Sequence, residues 1–277
     1  MRAVLKYPGS KWNIAGQLAE LIPPHHSYLE PYFGSGALLF NKAPSDIETV
    51  NDLDSDVTTL FRCIQKDPER LAGLVMTTPF SREEYDKQFI DTGQAISEFE
   101  KAAGFLIRMW MAHGSRNDKY KAGWKYDAAG REKMYSLWNW YRLPEWIIEI
   151  AERLRQVQIE NRPALEVIRR FNNPAVFMYL DPPYPLNTRA KKQYIHEMED
   201  SDHENLLQTI TQSQAKIMIS GYDSDMYNEH LAGWKKEYFQ SFAEGRKPRM
   251  EIIWMNYEQP WQQQSMFSFY DRDTVGI

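Results

Sequence analysis

The sequence predicts an α/β protein: a mostly parallel sheet with helices on both faces, interrupted by an inserted helical subdomain. Three observations predict it. Short apolar runs alternate with amphipathic segments along most of the chain, as strands joined by crossover helices do. Four of these runs end in a polar or glycine-rich turn, at Pro31–Gly36, Asn51–Asp54, Asn161–Pro163 and Asp181–Tyr184, and carboxyl ends of parallel strands are where such sheets hold ligands. Between about Thr58 and Leu154 the rhythm breaks, with no convincing buried strand over a stretch far longer than an ordinary connection.

Composition narrows the classes. A chain of 277 residues that is 43% hydrophobic can bury a full core. Fourteen glycines and fifteen prolines are near average usage, which excludes collagen-like and low-complexity chains. No apolar run approaches the roughly 20 residues of a membrane span, and the N-terminus lacks the layout of a secretory signal. One cysteine, Cys63, excludes an internal disulfide and a cysteine-rich metal site, and suits a reducing, intracellular compartment. The formal charge of −5 gives no global attraction to nucleic acid, so any such binding must use local basic patches.

The first candidate strand, Ser27–Glu30, runs into Pro31-Tyr32-Phe33-Gly34-Ser35-Gly36-Ala37. Glycines at a strand end permit unusual φ values and close approach of a ligand to the backbone. Leu39 stands where the dinucleotide pattern Gly-x-Gly-x-x-Gly needs its last glycine, which disfavours hydride transfer. The second strand, Ile47–Val50, ends in Asn51-Asp52-Leu53-Asp54. An acid about twenty positions past a glycine turn can hold ribose hydroxyls; the alternative for this turn is a helix cap.

In the long stretch that follows, Phe105–Ala112 and Tyr135–Arg155 are the clearest helices. Arg108–Arg142 carries eight basic residues against three acidic ones, interleaved with Trp124, Tyr126, Tyr135, Trp138, Trp140 and Tyr141. Two readings stand: phosphate contacts with base stacking, or a small aromatic core under a solvated charged face. A third strand, Val157–Glu160, leads to Asn161-Arg162-Pro163.

The fourth strand, Val176–Leu180, carries the sharpest signal, Asp181-Pro182-Pro183-Tyr184. At average composition this tetrapeptide occurs by chance in roughly one such chain in a thousand. Prolines stop a strand, but that does not explain the flanking carboxylate and aromatic. An exocyclic nucleobase amine is a poor nucleophile because its lone pair is delocalised into the ring. Asp181 and the Pro182 carbonyl suit the task of accepting its two N–H hydrogens and freeing that lone pair. Tyr184 suits stacking on a base drawn out of the duplex. Beyond it, Arg189-Ala190-Lys191-Lys192 reads either as a solvated run or as a phosphate-gripping loop. Lys216–Ser220 and Glu251–Met255 complete the strands, and the six histidines show no zinc spacing.

These turns, in this order and with Tyr7-Pro8-Gly9-Ser10-Lys11 before them, resemble the Dam-type N6-adenine DNA methyltransferases over nearly the whole chain. Ser220-Gly221-Tyr222 and the closing Glu251–Tyr257 run share the likeness. The resemblance implies a Rossmann-like S-adenosylmethionine-dependent methyltransferase sheet, with the glycine-turn and tetrapeptide strands adjacent at the topological switch point. It implies a catalytic domain of residues 1–57 and 155–277 and an inserted target-recognition subdomain of residues 58–154. S-adenosylmethionine is then the donor, and N6 of a flipped-out adenine in double-stranded DNA the acceptor. Asp181, Pro182 and Tyr184 are the expected catalytic group. Tyr7, Lys11, Glu30, Phe33, Gly34, Gly36, Asp52 and Asp181 are expected at the cofactor, Lys11 at its methionine carboxylate and Asp52 at its ribose. Where relatives offer an acid to the cofactor adenine this chain has Asn161-Arg162-Pro163, so that contact either falls to Asn161 or is lost.

Expected DNA contacts are Lys6, Arg116, Asn117, Lys119, Lys121, Trp124, Lys125, Tyr126, Arg189 and Lys191. Arg116-Asn117-Asp118 and Gly123-Trp124 only loosely match the loop of enzymes that read GATC. No metal and no membrane are expected, and the setting is the cytoplasm of a bacterium or a phage host, with a cognate restriction enzyme an open question. N4-cytosine or RNA methylation, and a regulator that keeps the fold without turnover, are the alternatives.

Overall fold

The computed structural model describes residues 1–90, 93, 95–114, 117, 120–126, 135–188, 192–242 and 248–258. Among them seven strands form one sheet: β1 (Ser27–Glu30), β2 (Ile47–Asn51), β3 (Val157–Glu160), β4 (Val176–Leu180), β5 (Lys216–Gly221), β6 (Lys235–Phe242) and β7 (Pro248–Met255). Their order is β3-β2-β1-β4-β5-β7-β6. The first five are mutually parallel, and β7 runs antiparallel to both β5 and β6. The order reverses between β1 and β4, which pair directly with Ser27 opposite Val176. The glycine turn and the tetrapeptide therefore leave the sheet side by side, where open α/β sheets bind ligands.

Alternation along the strands sorts side chains into two layers. Tyr28, Phe177, Tyr179 and Met218 enter one hydrophobic cluster, whereas Leu29, Met178, Leu180 and Ile219 enter the other. β4 is buried along its whole length, as a central parallel strand covered on both faces must be. The second layer is completed by α7 (Ala164–Arg170), α8 (Asp200–Thr211) and α9 (Asp225–His230), through Val167, Ile168, Leu206, Leu207 and Tyr227.

The first layer holds α1 (Ala15–Glu20) and α2 (Ser55–Lys66), and then α3 (Pro68–Thr77), α4 (Arg82–Lys87), α5 (Glu98–Met111) and α6 (Tyr135–Leu154). α2 begins where the Asp54 carboxylate accepts the Asp56 N–H at 2.9 Å, and it buries Val57, Leu60, Phe61 and Ile64 at helical spacing. Ser97 and Glu100 form a reciprocal capping box at the start of α5. Phe105, Trp110, Leu143, Trp146 and Ile150 of the long helices share one continuous cluster with Val50, Phe177 and Met218 of the sheet. The end of α6 is also fastened by polar bonds. Arg153 makes a two-pronged contact with Glu48 of β2, and the Gln65 amide donates to the carbonyls of Leu154 and Val157.

One strand has no counterpart in the sequence reading. β6, Lys-Lys-Glu-Tyr-Phe-Gln-Ser-Phe, lies at the sheet edge, so it needs no buried apolar run and mixes charged with aromatic residues. Among the described residues no helix is long and apolar enough to cross a membrane.

Candidate active site

A cleft of about 270 Å³ opens at the carboxyl ends of β1, β2 and β4. Its walls include four turns: Tyr7–Lys11 before α1, the glycine turn, the Asp52–Asp54 turn, and the tetrapeptide. A fifth segment, Tyr194 to Met198, closes it from the far side.

The glycine turn owes its shape to residues without a side chain. Gly34 and Gly36 have φ of +48° and +67°, values that L side chains rarely adopt. A Cβ on Gly34 would stand 3.0 Å from the Tyr7 ring, and one on Gly36 would stand 2.6 Å from the rings of Phe33 and Phe40. So disposed, the Gly34 N–H donates to Asp52 Oδ2 at 2.8 Å, while the Asp54 N–H donates to Asp52 Oδ1 at 2.9 Å. Burial nevertheless pushes the Asp52 carboxyl up to about 7.

At the end of β1, Glu30 is buried and takes the Tyr28 hydroxyl on Oε1 at 2.6 Å. Its Oε2 is buried and has no hydrogen-bond partner among the described residues. Burial pushes this carboxyl up to about 8. An orphaned polar atom lining a cleft marks a position that a ligand donor would satisfy.

Lys11, also buried, faces the tetrapeptide. Its Nζ lies 3.0 Å from Asp181 Oδ1 and 3.8 Å from Glu251 Oε2, donates to the Gly9 carbonyl at 2.8 Å, and sits 4.8 Å from the centre of the Tyr184 ring. Burial alone would depress this ammonium, but Asp181 and Glu251 outweigh it and hold it above its ordinary value. The Ser220 hydroxyl of β5 donates to the same Asp181 Oδ1 at 2.7 Å. Two partners thus fix one oxygen of Asp181. Tyr184 is buried, donates its hydroxyl to Glu251 Oε2 at 2.5 Å and meets the Tyr222 ring edge-on at 4.6 Å. A second hollow of about 650 Å³ lies against Tyr222, Pro185, Asn187 and Met250.

Of the residues expected at the cofactor, Tyr7, Lys11, Glu30, Phe33, Gly34, Asp52 and Asp181 line one cleft, with Gly36 shaping its turn. Asn161 does not line it: its amide donates to the carbonyls of Asp52 and Leu53, buttressing that turn from outside. Pro163, Ala164 and Leu165 face the cleft instead. Pro182 is buried beside the cleft-lining Asp181 and Pro183.

The expected DNA contacts scatter more widely. Lys6 donates to the Gly114 carbonyl at 3.3 Å, and Lys121 pairs with Asp86 at 2.8 Å. Trp124 and Tyr126 stack with an interplanar angle of 10°, and the Arg82 guanidinium sits over both rings. The Lys125 N–H donates to the Met111 carbonyl. Asn117 is only 3% exposed, and its amide donates to Asp54. Arg116, Lys119, Arg189 and Lys191 lie outside the described residues.

Ser220 and Glu251 belong to the site although the sequence reading gave them no role. Both sit inside motifs quoted for the resemblance, but only strand pairing brings them into place: β5 beside β4 carries Ser220 to Asp181, and β7 beside β5 carries Glu251 to Tyr184.

Comparison with known proteins identifies the family. A type II methyltransferase of Lactococcus lactis subsp. cremoris, M1.LlaDCHI, is 27% identical over 83% of this chain and 84% of its own length. The type II methyltransferase M.MjaIII of Methanocaldococcus jannaschii is 23% identical over 93% and 99%. A DNA adenine methylase of Vibrio cholerae is 24% identical over 80% and 82%. The family described as D12 class N6 adenine-specific DNA methyltransferase matches residues 7–245, which take in the first wall of the cleft and the whole of the edge strand β6. The chain therefore belongs to the D12 class of N6 adenine-specific DNA methyltransferases, enzymes that methylate N6 of adenine in DNA.

Proposed function

We propose that the chain methylates a flipped-out adenine of double-stranded DNA with S-adenosylmethionine as donor, and that Asp181 is the residue that engages the target amine. The observation that carries this reading is the doubly anchored Asp181 Oδ1 at the rim of a cleft whose lining suits that donor. The lining offers complementary chemistry for each part of the molecule. Asp52 suits paired ribose hydroxyls; Leu53, Pro163 and Leu165 suit a purine face. The orphaned Oε2 of Glu30 suits the ammonium, and the Lys11 cation, already shared with Asp181 and Glu251, suits the carboxylate. When bound, this group supplies an already activated sulfonium methyl.

The protein's own contribution is alignment and exclusion of water. Lys11 and Ser220 hold Asp181 in place through Oδ1, so that Oδ2 accepts one N–H of the amine while the Pro182 carbonyl accepts the other. Attack needs no prior deprotonation, because the methylated amine is strongly acidic and sheds its proton afterwards. Tyr184, its hydroxyl pinned by Glu251 and its ring edge by Tyr222, is held to stack on the base, and the hollow against Tyr222 gives the extruded nucleotide room. The names of the type II relatives support a place in restriction-modification, beside a cognate restriction enzyme. Cytoplasmic DNA is the proposed substrate.

The test is transfer of labelled methyl from S-adenosylmethionine to unmethylated genomic DNA, followed by digestion to nucleosides. Label is expected in N6-methyl-2′-deoxyadenosine. Asp181→Ala is expected to lose at least about a thousandfold in kcat while DNA binding, by gel shift, persists. Turnover near wild type in that variant overturns the assignment.

A further inference from the structure

Asn117 comes from the middle of the inserted stretch, yet it is buried among three parts of the donor cleft. Its amide donates to Asp54 Oδ2, and Asp54 in turn bonds the donor-facing Asp52 through its own N–H. Tyr7, whose ring packs on the glycine turn, lies beside the same side chain. Its backbone N–H donates to the Gln193 carbonyl at 2.9 Å, and Asn117 pairs as a parallel bridge with Tyr194. Tyr194 closes the cleft: its ring lies 5.9 Å from that of Tyr7 and its hydroxyl donates to the Pro8 carbonyl. One residue thus ties together the ribose-side turn, the wall before α1 and the closing segment.

Asn117 does not itself line the cleft. It sits between two arms that pair antiparallel, with the His113 N–H on the Gly123 carbonyl, the Lys125 N–H on the Met111 carbonyl, and Ala112 bridged to Trp124. On those arms stand the exposed Lys121 and the stacked Trp124 and Tyr126. Burying an amide is unfavourable unless its bonds are made, so Asn117 has its low-energy position only when the Asp54 turn and the 193–194 segment are in place. The converse holds equally, because a coupling free energy is reciprocal.

We propose that Asn117 is a positioning residue that latches the DNA-facing arch to the donor cleft, so that donor and DNA each strengthen binding of the other through it. This rests on the donor and DNA assignments made above. Calorimetric titration of S-adenosylhomocysteine, with and without unmethylated genomic duplex, tests it. In the wild type, DNA is expected to tighten S-adenosylhomocysteine binding about tenfold, a coupling of ordinary size. In Asn117→Ala this enhancement is expected to vanish, and KM for the donor to rise more than kcat falls. The paired variant Asp54→Asn with Asn117→Asp rebuilds the bond with donor and acceptor exchanged, and is expected to recover the enhancement.

Retention of the wild-type enhancement in Asn117→Ala overturns the proposal, and so does a paired variant that folds but stays uncoupled. Equal loss of S-adenosylhomocysteine affinity with and without DNA in Asn117→Ala also overturns it, by showing a purely structural role. If Asn117→Ala does not fold, the paired variant decides. If the wild type binds no S-adenosylhomocysteine at all, it is the donor assignment that fails.

Discussion

At the residue scale, the site is defined by where charge is buried. Two carboxyls facing the cleft, Glu30 at about 8 and Asp52 at about 7, are held up by burial. The folded protein therefore keeps protons that the unfolded chain has already released above the ordinary carboxylate range. Their contribution is fully present below that range and is lost as pH rises through about 7 to 8, at up to ~1.4 kcal/mol per pH unit for each group. Stability of the ligand-free protein to urea is thus expected to fall between about pH 5 and 8. Glu30→Gln, which cannot ionise, is expected to flatten part of that fall and to weaken donor binding at pH 8, and a profile as steep as wild type would contradict the assignment. Lys11 answers to the opposite logic: it stays charged because Asp181 and Glu251 stand beside it.

At the element scale, the decisive feature is the turn after β1. Its two glycines let the backbone curl so tightly that rings from Phe33 and Phe40 fill the volume a methyl would need. Gly36→Ala combines a left-handed backbone with overpacking, and is expected to destabilise the protein by about 2–4 kcal/mol. A midpoint unchanged in chemical denaturation would show that the turn relaxes freely. This turn was legible in the sequence because glycine spacing reports backbone need directly. So was the tetrapeptide, since two prolines after a buried run leave few structures. The edge strand β6 was not legible, because an edge lacks the burial that writes an apolar pattern. The role of Asn117 was hidden for a related reason: a polar residue in a basic stretch looks solvated until its partners, 63 positions away at Asp54, are folded against it.

At the scale of the whole molecule, the inserted helices are not a separately packed body. Phe105, Trp110 and Trp146 lie in the same apolar cluster as Val50, Phe177 and Met218, and Arg153 is pinned to Glu48. Unfolding is therefore expected to be a single cooperative transition, with intrinsic fluorescence and far-ultraviolet circular dichroism tracing one curve. Two separated transitions would show that the insertion holds together by itself. The same continuity gives the proposed latch its leverage, since an arch rooted in the shared core cannot shift without disturbing the cleft.

By itself the sequence determined the parallel sheet, the two chemical turns, their order, and with that order the family. Those features are local: a buried strand, a left-handed glycine and a proline stop each state a need within a few residues. Only the tertiary structure decided which groups complete the chemistry. Ser220 reaches Asp181 across neighbouring parallel strands, Glu251 reaches Tyr184 from an antiparallel one, and Asn117 turns inward from the insertion. Such partners are chosen by strand order and packing, and neither leaves a period or a spacing in the chain.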